Sequence, residues 1–496
     1  MSYSALFPAT TSQTLEGRLA AYASLYVPAL LAWVFSFDPL LSFGIAWAGS
    51  WGILWMSMTG RVRPLPGDRT WMQQLFRPLF LSQIMFFGLF CLGPVFYMWD
   101  LVATGGIVYG IEGEIRRTAA AQRYYVLGHA AFVHGILALM DYRHSGEWSV
   151  EAPVSMTRLF LYAAGGALAL FFVFANFPGL GQFAGKCQYL FVAAAILSFA
   201  YAVREGSVLE FIVAGALYGF VLFEVILSGW KHQIILVIGL LLVALFPTYK
   251  RTVGVAGAVI AIMFVTLLPA YNNVFRQLSW QENMSPQQAA QFAFDRATSG
   301  QMDVGRVSWQ FLTNRLTTVS LFTDYMESVP GQRPYYGFTT VEQAAYALIP
   351  RVFWPGKPNT EELVMERVYS NTNVRAGSRV SAKPLIVVDG YLAGGWIGVL
   401  LSCLALGGVA SVASRWAEHW FGGYEIGSQL VFTGLFARVL FVASFEFLFN
   451  ALFWSFVLMG VLAAGLWLTG FLMWRPGPRS SPRAPTPTSS SASIRV

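Results

Sequence analysis

The run VGVAGAVIAIMFVTLLPA, residues 253–270, holds eighteen consecutive residues without a charge. About 20 mostly apolar residues cross the ~30 Å hydrocarbon core of a bilayer, so this run reads as a membrane helix. The character of the chain then changes. Residues 271–385 are polar and charged, and apolar runs resume only at 386. The same ruler, moved outward, gives about twelve spans. They centre on residues 19–37, 39–58, 78–99, 124–140, 159–176, 189–203, 211–228, 234–249, 253–270, 386–413, 428–445 and 450–473. The runs at 124–140 and 189–203 are short for a span. The expected fold is all-α and polytopic. Residues 1–270 carry spans one to nine, 271–385 form one large loop with amphipathic helices, 386–474 carry spans ten to twelve, and 475–496 form a disordered tail rich in Pro, Ser and Arg.

Composition points the same way. The 496 residues are 56% hydrophobic and 11% charged, against about 25% charged in soluble domains. Seventeen Trp and 21 Tyr suit two lipid–water interfaces, where amphipathic rings settle. The N-terminus lacks a cleavable signal pattern, and its first apolar run is long enough to span and stay. The net charge of +7 reflects arginines in short loops and in the tail. It reads as a topology signal, not as nucleic-acid binding. Three cysteines with no CxxC pair exclude a disulfide framework and a thiolate metal site.

Arginine asymmetry sets the expected orientation. Arg61, Arg63, Arg69 and Arg77, then Lys250 and Arg251, then Arg475, Arg479, Arg483 and Arg495 fall on one side when twelve spans are counted. That side is cytoplasmic by the positive-inside rule. Both termini are then inside, and the large loop is extracytoplasmic. Arg116, Arg117 and Arg123 would lie outside, balanced by Asp100, Glu112 and Glu114.

The large loop contains neither Cys nor His. A Cys/His zinc site and a His-dependent nucleophile cannot be built from it alone. Carboxylate, guanidinium and aromatic chemistry remain. SPQQAAQFAFDRA, residues 285–297, opens with a Ser N-cap and Pro in the first turn. The stretch 304–329 spaces Val307, Phe311, Val319, Phe322 and Met326 as one amphipathic face. Arg306 and Arg315 on that stretch have two readings: snorkelling cations, or a clamp whose guanidinium forks match phosphate oxygens. In IPRVFWPGKP, residues 349–358, three prolines forbid regular helix and stiffen a loop displaying Arg351, Trp354 and Lys357. Trp354 is either an interfacial anchor or a platform for a sugar ring. Asp389, at the start of span ten, is a functional candidate because carboxylates in a membrane are costly. The rival reading is an ion pair with a loop arginine. Glu446 draws a weaker form of the same suspicion, and His129 reads as a packing residue. Gly390, Gly394, Gly395 and Gly398 read as a close helix-packing face.

Arg315, Tyr336-Gly337-Phe338-Thr339, the Ile349–Pro358 motif and Asp389-Gly390-Tyr391-Leu392-Ala393-Gly394-Gly395-Trp396-Ile397-Gly398 together resemble the Wzy-type polymerases of bacterial O-antigens and exopolysaccharides. The local match covers about residues 306–400, and beyond it only the layout is similar. The resemblance implies a GT-C-like, metal-independent glycosyltransferase of the bacterial inner membrane with its active site facing the periplasm. It would move a growing glycan from an undecaprenyl pyrophosphate donor onto another lipid-linked repeat unit. No cofactor is expected. The partners are undecaprenyl-pyrophosphate-linked oligosaccharide, the bilayer and a chain-length regulator, with no nucleic acid. Arg306, Arg315, Arg351 and Arg379 are then the pyrophosphate clamp, with Trp354, Lys357 and Tyr391 also binding substrate. Asp389 is the first candidate for general base, with Asp303 and Glu342 behind it. A lipid-linked oligosaccharide flippase and an O-antigen-type ligase are the rival readings. Ligases of this superfamily generally rely on a loop His, which this loop lacks.

Overall fold

The computed structural model describes residues 15–103, 111–150, 154–177, 180–229, 231–299, 302–314, 318–350, 353–375, 383–440 and 443–474. Among them the chain is almost wholly helical. The exception is a ribbon of two three-residue strands, Trp148–Val150 antiparallel to Leu472–Trp474, with Ser149 opposite Met473. The all-α expectation missed it because strands this short leave no alternation to read.

Eight helices are long and apolar enough to cross a bilayer, so the chain is a multi-pass helical membrane protein. They are Pro39–Met58, Pro78–Ala103, Met156–Asn176, Gly181–Glu205, Val208–Ser228, the helix from Lys250 to Ser279, Ile386–Trp420 and Phe445–Leu468. Leu15–Ser24 and Val27–Val34, bent by 47°, make a ninth if they count as one span. The lipid-facing character of residues 253–270 is visible in the exposed stripe Val255, Val259, Ile262 and Met263, spaced for one helical face.

Three of the twelve expected spans fall short of that test. The run at 124–140 belongs to Ile111–Leu139, whose first turns are charged. Its second half is enclosed by protein, with Tyr125, Val126, His129 and Phe132 fully buried, so its apolar length is not set by lipid. The run at 234–249 forms the shorter helix Lys231–Leu245. The run at 428–445 breaks into a π-helix, Tyr424–Phe432, and the one-turn helices Thr433–Leu435 and Ala437–Leu440.

Two central helices, Ile111–Leu139 and Ile386–Trp420, touch backbone to backbone. A Cβ added at Gly135 would lie 2.2 Å from the Leu404 carbonyl oxygen, and one at Gly407 would lie 2.0 Å from that of Phe132. Only glycine permits such an approach between membrane helices. Between these two helices the close-packing glycines are therefore Gly135 and Gly407, whereas the 390–398 group packs within the Ile386–Trp420 element itself.

That group does something else. Gly394 (φ −173°, ψ 38°) and Gly395 (φ 60°, ψ −135°) leave the helical region, and Gly395 needs a backbone that side chains disfavour. The chain reverses there. A Cβ on Gly398 would lie 1.9 Å from the Gly390 carbonyl oxygen, although eight residues of straight helix would separate the two by about 12 Å. Residues 386–393 are thus a half-helix folded back on the arm that continues to Trp420.

The large loop is helical in pieces: Pro286–Thr298, Val304–Asn314, Val319–Ser328, Thr339–Tyr346 and Thr360–Asn371. Ser285 caps the first of these, accepting from the Gln288 N–H, as its sequence indicates. The stretch expected as one amphipathic face over 304–329 is carried by two helices. The second docks into the bundle, with Val319, Phe322 and Tyr325 fully buried.

Gly398→Ala should lower stability by about 1–3 kcal/mol, the usual cost of forcing atoms into a filled space. Gly460→Ala is the control, since nothing lies within 4 Å of its added Cβ. Thermal unfolding of both purified variants in detergent checks this. Equal midpoints for the two would contradict the reversal.

Candidate functional site

The helix Thr360–Asn371 starts at Asn359, whose side chain accepts from the Glu361 N–H at 3.1 Å. It buries Val364, Arg367, Val368 and Asn371, the spacing of a single face. An arginine therefore enters the interior in the middle of an otherwise ordinary stripe. Its guanidinium meets two carboxylates. Arg367 Nη2 donates to Asp389 Oδ1 at 3.4 Å, and Nη1 lies 2.5 Å from Glu446 Oε1. Nη1 also donates to Gln343 Oε1 at 2.6 Å. The rival reading of Asp389, an ion pair with a loop arginine, thus describes this arrangement.

Asp389 does a second job. Its Oδ2 accepts the Phe445 N–H at 2.8 Å. Phe445 is the first residue of Phe445–Leu468, and the Ser444 side chain makes no capping bond. Asp389 therefore satisfies one of the orphan donors of another helix. All three charged groups are closed off from solvent: Asp389 and Glu446 are 0% exposed and Arg367 is 3%. When both are ionised, two carboxylates facing one guanidinium leave one net negative charge in the interior. Burial disfavours the charge on Arg367, but Asp389 and Glu446 outweigh it and hold the guanidinium above its ordinary pKa. Burial and the nearby Asp389 also push the Tyr325 phenol up, so it stays protonated. Arg367 Nε, both Glu446 oxygens and the Tyr325 hydroxyl lack a well-aligned hydrogen-bond partner among the described residues. Buried polar groups are rarely left in this state, so the cluster is under-satisfied.

Two apolar cavities flank the cluster. One, of about 640 Å³, has Leu385 and Ser444 in its wall. The other, of about 440 Å³, has Ile386 and Phe445, the next residue along each chain segment, together with Gly394 and Gly398. The half-helix and the start of the last helix form the partition between them.

The remaining candidates lie apart from the cluster or outside the described residues. Tyr391 is buried, donates to the Val329 carbonyl at 2.6 Å, and packs edge-on to Tyr124, Phe322 and Tyr335. Trp354 packs edge-on to Tyr346. Lys357 Nζ donates to the Ala347 and Ile349 carbonyls at 3.2 and 2.9 Å and so braces the proline loop. Glu342 is exposed and accepts from the Tyr346 hydroxyl. Asp303 is exposed and accepts the Arg306 N–H at 3.0 Å, and the Arg306 side chain is exposed. Arg315, Arg351 and Arg379 lie outside the described residues. Among the described residues no cluster of His, Cys, Asp and Glu could hold a metal ion.

A second buried guanidinium offers a contrast. Arg77 forks onto Glu418, at 3.1 and 3.2 Å, and onto Asp68, at 3.0 and 2.6 Å. It also stacks on Tyr142, 4.0 Å from the ring centroid. This cluster is well bonded, with Arg77 and Glu418 buried and Asp68 exposed, and it reads as structural. Glu418 and Asp389 mark opposite ends of the Ile386–Trp420 helix, with about 35 Å of helix between Gly395 and Glu418.

Over residues 27–473 the chain matches the family described as "Domain of unknown function (DUF8712)", and it belongs to that family. No curated protein and no solved structure matches it.

Removing Arg367 leaves two carboxylates buried without a counter-charge. Arg367→Met should destabilise the protein by about 3–5 kcal/mol. Adding Asp389→Asn and Glu446→Gln should restore much of that loss. Thermal midpoints of the single and triple variants decide it. A triple variant no more stable than the single would contradict the charge imbalance.

Proposed function

We propose that this family member is a polysaccharide polymerase that transfers a growing glycan from a lipid pyrophosphate donor to a second lipid-linked repeat unit. The observation that carries this reading is one buried acid–guanidinium cluster with two apolar cavities beside it, one walled by Leu385 and Ser444 and the other by Ile386 and Phe445. A reaction between two lipid-linked substrates needs two hydrocarbon-lined sites that converge on polar chemistry, and the arrangement suits that need. The resemblance of the 306–400 segment to Wzy-type polymerases supports the same conclusion.

In this mechanism the acceptor sugar hydroxyl oxygen bonds to the anomeric carbon of the donor. The bond from that carbon to the pyrophosphate oxygen breaks, and the lipid pyrophosphate leaves. The hydroxyl proton goes to the Asp389–Glu446 pair, which acts as one base because the two share Arg367. Both Asp389 oxygens and Glu446 Oε1 are engaged, so Glu446 Oε2 is the better-placed atom to receive it. Arginines of the loop hold the leaving pyrophosphate, where a bidentate fork suits phosphate oxygens. The site works at the extracytoplasmic face of a bacterial inner membrane, with twelve segments threading the bilayer and both termini inside.

A second reading has its own support. The helix broken at Gly394–Gly395 resembles the discontinuous helices at transporter binding sites. A lipid-linked oligosaccharide carrier would use both cavities without joining their contents.

Glu446→Gln and Asp389→Asn should each cut polymer formation roughly 100-fold or more, the scale of a lost general base. Single lipid-linked repeat units should accumulate on the outer face. Normal polymer in both variants rejects the mechanism. Purified protein in liposomes, given repeat units on one side only, separates the two readings: joined glycans support the polymerase, whereas translocation without joining supports the carrier.

Orientation is checked with Gln332→Cys. Gln332 is exposed, and native Cys91, Cys187 and Cys403 are buried. A membrane-impermeant thiol reagent should label the variant in intact spheroplasts. Labelling only after lysis would place the loop inside.

A further inference from the structure

The larger cavity differs from its neighbour in charge. The cavity of about 440 Å³ has no charged residue in its wall. The one of about 640 Å³ is lined by aliphatic side chains of Pro78–Ala103 and Lys231–Leu245, and by Glu361, Lys383 and Arg438. Lys383 and Glu361 neutralise each other at 2.6 Å. Arg438 is exposed, and its guanidinium lies 5.8 Å from the Tyr189 ring centroid. Among the described residues no carboxylate pairs with it. Its electrostatic neighbour is a second cation, Lys186. That amine is buried and donates to the Ala451 carbonyl at 2.8 Å and to Ser455 Oγ at 3.1 Å. Arg438, in the cavity wall, is repelled by Lys186 and gains from an anion placed near it.

The cavity is also long. Leu75, two residues from Arg77, lies toward the Glu418 end of the bundle. Lys383, Leu385 and Ser444 lie toward the Asp389 end. A ligand filling it is a chain with a polar head. The volume falls in the range of a pocket for one small ligand.

We propose that this cavity binds a single-chain lipid phosphate, with the hydrocarbon along the Pro78–Ala103 and Lys231–Leu245 walls and the phosphate on Arg438. The site deepens the transferase reading and rests on it only for the role of the lipid as glycan carrier. It also distinguishes the two cavities, since the charged one receives the phosphate end of a carrier.

The test uses the full chain purified in neutral detergent, with farnesyl phosphate as the probe and native mass spectrometry as the readout. Saturable binding is expected. Arg438→Met should weaken it at least tenfold, and Arg438→Lys less so. Gly239 lines the cavity and has open space around its added Cβ. Gly239→Leu should therefore fill the cavity and abolish binding, and it carries the test if Arg438→Met does not fold. Farnesol, which lacks the phosphate, should bind at least tenfold more weakly. Unchanged affinity in Arg438→Met or Gly239→Leu overturns the proposal. So does competition by inorganic phosphate at the same concentration, which would mean a free-anion site. Equal displacement by phosphatidylglycerol would mean a two-chain membrane lipid and overturns it too. Loss of glycan joining with probe binding intact counts against the transferase reading alone. Loss of binding in Arg438→Met or Gly239→Leu with joining intact leaves the site standing and counts against its lipid being the glycan carrier.

Discussion

The contact between Arg367 and the two acids Asp389 and Glu446 joins three parts of the chain that hydropathy would keep separate. Arg367 belongs to the large loop, Asp389 to the folded-back half-helix and Glu446 to the last membrane helix. Without it the loop has no charged anchor in the bundle at that point. Each neighbouring feature follows from the tie. The Thr360–Asn371 helix must lie face-down to deliver Arg367. The half-helix must reverse to bring Asp389 beside Phe445. The reversal in turn needs Gly395, and the close return needs Gly390 and Gly398.

Two guanidinium clusters at opposite ends of one helix show how the same group serves two ends. Arg77 has its two acids placed for forked bonds and an aromatic face above it. Such a group is spent on structure, because nothing in it remains to be satisfied. Around Arg367, buried polar atoms are left without well-aligned partners. In a low-dielectric interior that is costly. The imbalance therefore distinguishes the Arg367 cluster from the Arg77 cluster.

Much of the architecture could be read from the chain, and the failures have physical causes. Residues 253–270 could hardly be anything but a membrane helix, and Ser285 with Pro286 announced a loop helix. Asp389 drew attention because an acid among apolar neighbours is expensive. Arg367 did not, since it is one of eleven cations in the 271–385 segment. Its signal was its place between Val364 and Val368, on the face that had to be buried. The expected twelve spans are matched on length and apolarity by eight helices, or nine with the bent pair. Hydropathy measures apolar length, whereas Ile111–Leu139 is surrounded by protein and needs no lipid-matched run. The Gly394-x-x-x-Gly398 spacing matched a packing motif, and Gly395 inside it was the better clue. A glycine permits the positive φ of a reversal that side chains disfavour.

The half-helix has an electrostatic consequence. Asp389 and Glu446 each sit in the first turn of their own helix. Two helix N-termini therefore point their unsatisfied N–H groups toward the same buried spot. Each such end acts as roughly half a positive charge, so two supply about one unit. That is opposite in sign to the single negative charge left over when both carboxylates are ionised and face Arg367. The backbone therefore offsets part of the charge that the side chains leave. A straight helix through residues 386–420 would have carried that N-terminus elsewhere. The fold-back thus turns the peptide dipole into a partial counter-ion.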